Sequence, residues 1–119
     1  MDYVCVTNNP KVRDSHQDAH YAIRYIETDY RGILSKARDL IHVGFVLETH
    51  PLAGSVKPGE TPYKTILLAR RDKLDLDSLR IIEEALAMAA KLWRNLESLP
   101  DNVKNDLQLI DYSLIFGRA

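Results

Sequence analysis

YVCVTNNP, residues 3–10, contains the change of pattern that decides the fold. Tyr3–Thr7 is a short run of aromatic and β-branched residues, which predicts a buried strand. The two asparagines and the proline that follow predict a sharp turn. Asn9 is placed to cap a short helix that has Pro10 at its first position, where the missing N–H costs nothing. We therefore expect the chain to begin with a strand that turns directly into a helix.

The remainder of the sequence continues this alternation. The periodicity predicts one or two helical turns in 11–20, strands over 21–27, 45–49 and 65–69, and helices over 30–43, 77–96 and 101–116. Thr28 or Asp29 can cap the second helix, Gly44 is placed to end it, and Asp77 suits the N-cap of the third. The predicted core faces of the three long helices are Ile33, Leu34, Ala37, Leu40 and Ile41; Ile82, Leu86, Ala89 and Trp93; and Val103, Leu107, Ile110 and Leu114.

This order of elements predicts an α/β fold, a single domain over residues 1–119. We expect three layers, in which helices flank a mostly parallel sheet of about four strands, with the direction of the fourth strand left open. If strand one lies between strands two and three, its C-terminal end is a switch point where ligands bind. The Asn8-Asn9-Pro10 turn and the loop that begins at His50 would then open on the same rim.

Composition excludes several classes of function. The formal net charge is −1, from 16 basic and 17 acidic residues, and this balance gives no reason to expect the basic face of a nucleic-acid-binding protein. No apolar run is long enough to span a bilayer, and the N-terminus does not resemble a signal peptide. A single cysteine, Cys5, cannot form an internal disulfide. We expect a cytoplasmic protein without membrane or nucleic-acid partners.

The stretch THPLAGSVKPGETPYK, residues 49–64, predicts the functional surface. Loops longer than about 12 residues are usually functional or disordered, and three prolines favour an ordered one here. Gly54 and Gly59 permit positive φ angles that turn N–H groups inward, and with Ser55, Lys57, Thr61 and Lys64 such groups suit a small anion. Three readings stay open: a rigid surface loop, a small-anion site, and a surface that docks a protein. The stretch lacks the order of a Walker A motif.

Other chemistry-bearing residues give weaker signals. His50 could act as a general base or simply form a local hydrogen bond. His16 and His20 are spaced to share a helical face and could bind a metal, but two ligands make an incomplete site, and a solvated polar stretch explains them better. Cys5 is expected to be a buried, inert thiol. No nucleophile–base set is recognised, and neither a metal nor a cofactor is expected.

The long motif, together with VTNNP near the start and LDLDSLRIIEEA after the fourth strand, resembles the GrdX family over nearly the whole chain. The resemblance implies a small protein encoded in the glycine, sarcosine and betaine reductase gene clusters of anaerobic bacteria. It implies an accessory to a selenium-dependent system that uses amino acids as electron acceptors. The sequence lacks the selenocysteine or cysteine pair of a reductase component, so the resemblance favours a helper over a catalyst.

Two functions follow from these observations. The first is a non-catalytic accessory or regulatory protein whose loop and Asn8-Asn9 turn recognise a component of an amino-acid reductase complex. The second is a small-molecule or anion-binding domain, or a minor enzyme. The candidate ligand- or partner-binding residues are Asn8, Asn9, His50, Gly54, Ser55, Lys57, Thr61, Tyr63 and Lys64. An exposed face on the last two helices could also support self-association into a homo-oligomer.

Overall fold

The fold is a four-stranded sheet with helices on both faces. A computed structural model describes residues 3–15, 21–54 and 56–117. In chain order the elements are β1 (Tyr3–Thr7), α1 (Pro10–Ser15), β2 (Tyr21–Tyr25), α2 (Tyr30–His42), β3 (Phe45–Leu47), β4 (Thr65–Arg70), α3 (Leu76–Lys91) and α4 (Asp101–Phe116). The predicted alternation of strands and helices is confirmed, although β3 and α3 are shorter than predicted.

The sheet is mixed, so the prediction of a mostly parallel sheet is wrong. The strand order is β2-β1-β4-β3, with β1 parallel to β2 and β4 antiparallel to both of its neighbours. The physical reason is the connection before β4, which is a loop without the helix that a parallel crossover normally needs. Strand β1 therefore lies between β2 and β4, not between β2 and β3. The switch point expected at its C-terminal end is not formed, because there the chain meets the start of an antiparallel strand.

Alternate residues of the central strands build two separate cores. Val4 and Val6 of β1, with Ile66 and Leu68 of β4, pack against the apolar stripes of α2 and α3. On the opposite face, Cys5 and Leu67 pack with Val12 of α1, and half-buried side chains of α4 cover them, namely Tyr112, Ile115 and Phe116. The sheet is thus the middle of three layers, as predicted.

The first two helices begin as predicted. Asn9 Oδ1 accepts a hydrogen bond from the N–H of Lys11 at 3.0 Å, which caps α1. Asp29 Oδ1 accepts from the N–H of Gly32 at 2.8 Å and caps α2, which ends two residues before Gly44. These caps place Asn9 and Tyr30, the first residue of α2, beside the end of β1.

The ends of α3 differ from the prediction. Asp75, not Asp77, is the N-cap, and its side chain accepts from the N–H of Ser78. The helix ends at Lys91, so Trp93 lies outside it and is 51% exposed instead of packing in the core. Asn95 then accepts a hydrogen bond from the N–H of Glu97, a local bond that competes with further helix.

The buried face of α4 is also not the predicted one. Ile110 and Leu114 were expected in the core and are nearly half exposed. The face turned to the sheet carries Asp111, Tyr112 and Ile115 instead, because Asp111 bonds to residues at the ends of β1 and β4. Within the described ranges, no helix is both long and apolar enough to cross a membrane.

Candidate functional site

The end of β1 and the end of the long loop are tied together by Asn8. Antiparallel pairing puts Thr7, the last residue of β1, opposite Thr65, the first residue of β4. Asn8 Oδ1 accepts from the N–H of Lys64 at 2.8 Å, and Asn8 Nδ2 donates to the carbonyl oxygens of Pro62 and Thr28. One asparagine therefore joins β1, the loop and the start of α2. The prediction that the asparagine turn and the loop share a rim holds for the C-terminal part of the loop.

Asn9 is buried and belongs to a hydrogen-bond network beneath this junction. Its Nδ2 donates to Asp111 Oδ2 at 2.9 Å and to the carbonyl oxygen of Gln108 at 2.9 Å. The Thr65 hydroxyl donates to the same Asp111 oxygen at 2.6 Å and lies 2.7 Å from the Thr7 hydroxyl. The network fixes α4 against the ends of β1 and β4, so the side chain of Asn9 has a structural role.

Asp111 is the charged centre of this network and is only 7% exposed. Burial raises the pKa of its carboxyl above the usual value of 3.8, because desolvation disfavours the charged form. The hydrogen bonds from Thr65 and Asn9 and the positive charge of Lys64 oppose this rise in the pKa. Two side-chain hydrogen bonds reach Oδ2 and the backbone N–H of Thr65 gives a third hydrogen bond, while a carboxylate can accept about four. Asp111 therefore keeps acceptor capacity for another donor.

Lys64, the last residue of the loop, is 4% exposed. Among the residues that the structure describes, its ammonium has no hydrogen-bond acceptor and no ion pair, with Asp111 or with any other carboxylate. The ammonium makes a cation–π contact with the face of Tyr30, whose ring centroid lies 5.6 Å from Nζ. Burial lowers the pKa of Lys64, and the negative charge of Asp111 partly offsets that shift. An unpaired buried ammonium costs several kcal/mol, so this arrangement calls for a partner.

Lys64 and Asp111 line the same cavity, which has a volume of about 300 Å³. The loop and α4 form most of its wall, which is apolar around the two charged residues; the lining comprises Tyr30, Ala53, Gly54, Val56, Thr61, Tyr63, Lys64, Leu107, Ile110, Asp111, Ser113 and Leu114. Gly54 has φ 102°, and a Cβ there would lie 2.9 Å from Leu114 Cδ2. The glycine thus lets the loop approach α4 closely enough to close the cavity.

A second, larger depression of about 520 Å³ lies on the other side of Tyr30, Thr61 and Tyr63, which line both spaces. Its wall contains Pro10, Pro58 and Pro62, and also Trp93, whose ring faces the Arg31 guanidinium at 5.4 Å. We call this depression the Trp93 groove. Aromatic residues and arginine are enriched at surfaces that bind other proteins.

The structure brings five of the predicted residues to these two spaces. Gly54 and Lys64 line the cavity, Asn8 lines the Trp93 groove, and Thr61 and Tyr63 line both. The Thr61 hydroxyl accepts from the N–H of Tyr63 at 3.2 Å. The Tyr63 hydroxyl accepts from Gln108 Nε2 at 2.9 Å, so that side chain is held against α4.

Two other predicted residues do not join this site. His50 is exposed, and its Nδ1 accepts from the N–H of Leu52, which is the local hydrogen-bonding role. Lys57 is exposed, and its N–H donates to Glu60. Neither lines the cavity or the groove. Ser55 lies outside the described residues, as does the His16 and His20 pair.

Sequence reasoning missed Asp111 and Tyr30. A signal existed for Asp111, because it is the one acidic residue within the run LQLIDYSLIF, where an apolar helical face would otherwise continue. The described part of the chain contains no group of three or more histidine, cysteine or carboxylate side chains that could hold a metal ion. Cys5 is fully buried, as predicted.

Of three comparisons with known proteins, one gave a match. Neither the curated proteins nor the solved structures gave a match. The model of one family, described as GrdX-like protein, matches residues 4–118, which is nearly the complete sequence and includes both the asparagine turn and the long loop. Because this match covers almost all of the sequence, the chain belongs to the GrdX-like protein family.

Proposed function

We propose that this protein is an accessory component of a glycine, sarcosine or betaine reductase system, and that it acts by binding a small anionic molecule through Lys64. Family membership supports the first part. The observation that carries the second part is the buried Lys64 ammonium, which has no acceptor among the described residues and lies in the wall of a cavity. Its single cysteine, which cannot form an internal disulfide, supports the cytoplasm as its location.

The energetics favour an anionic ligand. A buried ammonium that forms no ion pair within the described part of the chain destabilises the free protein, and an incoming carboxylate or phosphate oxygen reduces that penalty. The same ligand gains a charge-assisted hydrogen bond, which is about twice as strong as a neutral one. The Tyr30 ring supports the cation but supplies no hydrogen-bond acceptor of comparable strength. The cavity volume lies at the lower end of the range for ligand sites, which favours a small molecule over a large one.

The long loop has a different part in this proposal from the one first expected. Lys57, expected beside the anion, is exposed and away from the cavity. The loop instead covers the site with Ala53 and Val56 and supplies Lys64 at its end. The role is binding, with no catalytic residue assigned.

The test is a thermal-shift and calorimetric titration of the purified protein with acetate, propionate and inorganic phosphate at constant ionic strength. A ligand at 100 times its Kd stabilises a protein by about 2.7 kcal/mol, which is on the order of 10 °C for a domain of this size. Lys64→Met should abolish the response. Lys57→Met is the matched control, because it removes the same charge from an exposed part of the same loop. An equal loss in both variants, or no response in the wild type, contradicts the proposal.

A second candidate function is the recognition of a reductase component by the Trp93 groove. The observation that favours it is the half-exposed tryptophan beside three prolines, since tryptophan and arginine are enriched at binding hot spots. Trp93→Ala should then weaken co-purification with the reductase components at least tenfold. The same variant should bind anions through Lys64 as the wild type does. Retention of the partner by this variant would dismiss the groove.

A further inference from the structure

We infer that the ligand of the Lys64 cavity is a small zwitterion, a molecule that carries an ammonium group as well as a carboxylate. The inference rests on the proposed function, because it names the class of ligand that the same cavity takes. It depends on the second charged residue in the wall, Asp111, whose role in the fold does not use all of its bonding capacity.

The cavity presents two opposite charges that do not pair with each other. Lys64 is 4% exposed and Asp111 is 7% exposed, and both line the same space of about 300 Å³. Within the described part of the chain, the ammonium of Lys64 has no salt bridge, although each residue's charge affects the other's ionisation. A cation and an anion that face one small cavity without touching are complementary to a ligand with the reverse arrangement of charges.

A simple monoanion would leave this arrangement incomplete. Its carboxylate would pair with Lys64 but would be repelled by the Asp111 carboxylate, and its neutral remainder would supply no donor for the acceptor capacity that Thr65 and Asn9 leave on Asp111. An ammonium group two or three bonds from the ligand's carboxylate supplies the missing donor. The Tyr30 ring, which lies beside Lys64 and lines the cavity, adds a surface that favours positive charge.

The apolar part of the wall limits the rest of the ligand. Ala53, Val56, Leu107 and Leu114 line the cavity around the charged residues. They leave room for a small hydrocarbon group and offer no partner for a third charge. The ligand class is therefore a small amino acid with a neutral, compact side chain.

The test compares ligands that differ only by the ammonium group, namely alanine with propionate, and glycine with acetate. In the wild type, each amino acid should bind at least about tenfold more tightly than its matched acid, the effect expected of one hydrogen bond between charged groups. In Asp111→Asn, the affinity for alanine should fall to that for propionate, while propionate binds as well as before or better.

The outcomes separate this inference from the proposed function. If propionate binds the wild type as tightly as alanine, the zwitterion inference is overturned and anion binding through Lys64 stands. If neither ligand of either pair binds but inorganic phosphate does, only the zwitterion inference is overturned; if phosphate also fails to bind, both are overturned. The wild-type comparison needs no variant, so it decides the matter even if Asp111→Asn folds poorly. An unchanged preference for alanine in a folded Asp111→Asn would overturn the assignment to Asp111.

Discussion

The N–H of Lys64 donates to Asn8 Oδ1 at 2.8 Å, and this bond places the backbone of the buried lysine against the end of β1. The side chain of Lys64 then extends from a fixed point on the sheet into the cavity, instead of from a free loop. The same asparagine donates to Pro62 and Thr28, so the position of the lysine, the loop and α2 depends on one side chain.

Asn8→Ala should destabilise the protein by about 2–4 kcal/mol. The substitution removes three hydrogen bonds from a buried position and leaves their backbone partners unsatisfied, each at a cost of about 1–3 kcal/mol before relaxation. Urea denaturation followed by circular dichroism measures the change. Asn95→Ala is the control, because Asn95 is exposed and, among the residues that the structure describes, its side chain bonds only to the nearby Glu97 N–H. This substitution should change the stability by less than about 1 kcal/mol. Equal effects of the two substitutions would argue against the structural role given to Asn8.

Lys64→Met should stabilise the ligand-free protein by about 1–3 kcal/mol at neutral pH, because it replaces an unpaired buried ammonium with an apolar side chain of similar length. The gain should shrink as the pH rises. Burial lowers the pKa of Lys64 in the folded state below its usual 10.5, so the unfolded chain binds more protons in that interval, and the free energy of unfolding of the wild type rises with pH there. The measurement is urea denaturation of both proteins at about pH 7 and pH 10. A constant difference would mean that Lys64 is not desolvated.

Asp111→Asn should change the acid side of the stability profile. Burial raises the pKa of Asp111 in the folded state above 3.8, so the native state binds its proton more tightly, and the free energy of unfolding of the wild type falls as the pH rises through this interval. The variant lacks the contribution of Asp111 to that fall. Subtracting its free energy of unfolding from that of the wild type at each pH separates this contribution from those of the other carboxyl groups. Denaturation at intervals between about pH 3 and pH 7 measures it. A difference that does not vary with pH would show that Asp111 titrates normally.

Cys5 should not react with thiol reagents in the native protein. Cys5 is fully buried beside Val12 and Leu67. Burial, assisted by the negative charge of Asp111, raises the pKa of the thiol to about 12. Because the chain has one cysteine, colorimetric labelling at about pH 8 follows this residue alone. The rate should match that of global opening and become fast in denaturant. Rapid labelling under native conditions would show that the second core, around Cys5 and Leu67, opens locally.

The sequence predicted the elements far better than their arrangement. Local signals were sufficient for β1, for the caps at Asn9 and Asp29, and for the span of α4, because each depends on residues close in the chain. The direction of β4 depends on its pairing with β1, which is distant in the sequence, and hydrophobic periodicity carries no information about such pairing. Trp93 was misplaced for a related reason, since its spacing suits a helix that a local bond at Asn95 ends earlier.

The candidate site was predicted in part. The sequence singled out the long loop, and Thr61, Tyr63 and Lys64 do line one cavity. Lys57 and Lys64 were both expected beside the anion, because nothing local distinguishes the exposed Lys57 from the buried Lys64. Asp111 is more than forty positions from Lys64 in the sequence and comes near it in the fold, where Thr65 and Asn9 donate to its carboxylate. Such a pairing becomes visible only when the fold is known.

Strands β3 and β4 are antiparallel neighbours, and two to five residues are enough to connect such a pair. Residues 48–64 therefore exceed what the connectivity of the sheet requires, and most of them form an insertion that could vary while the sheet is retained. Lys64 immediately precedes β4 and Asp111 lies on α4, so both charged residues belong to the sheet and helices and not to the insertion. Ala53 and Val56 belong to the insertion. Relatives could thus exchange the part that sets the size of the cavity without altering the part that sets its charge.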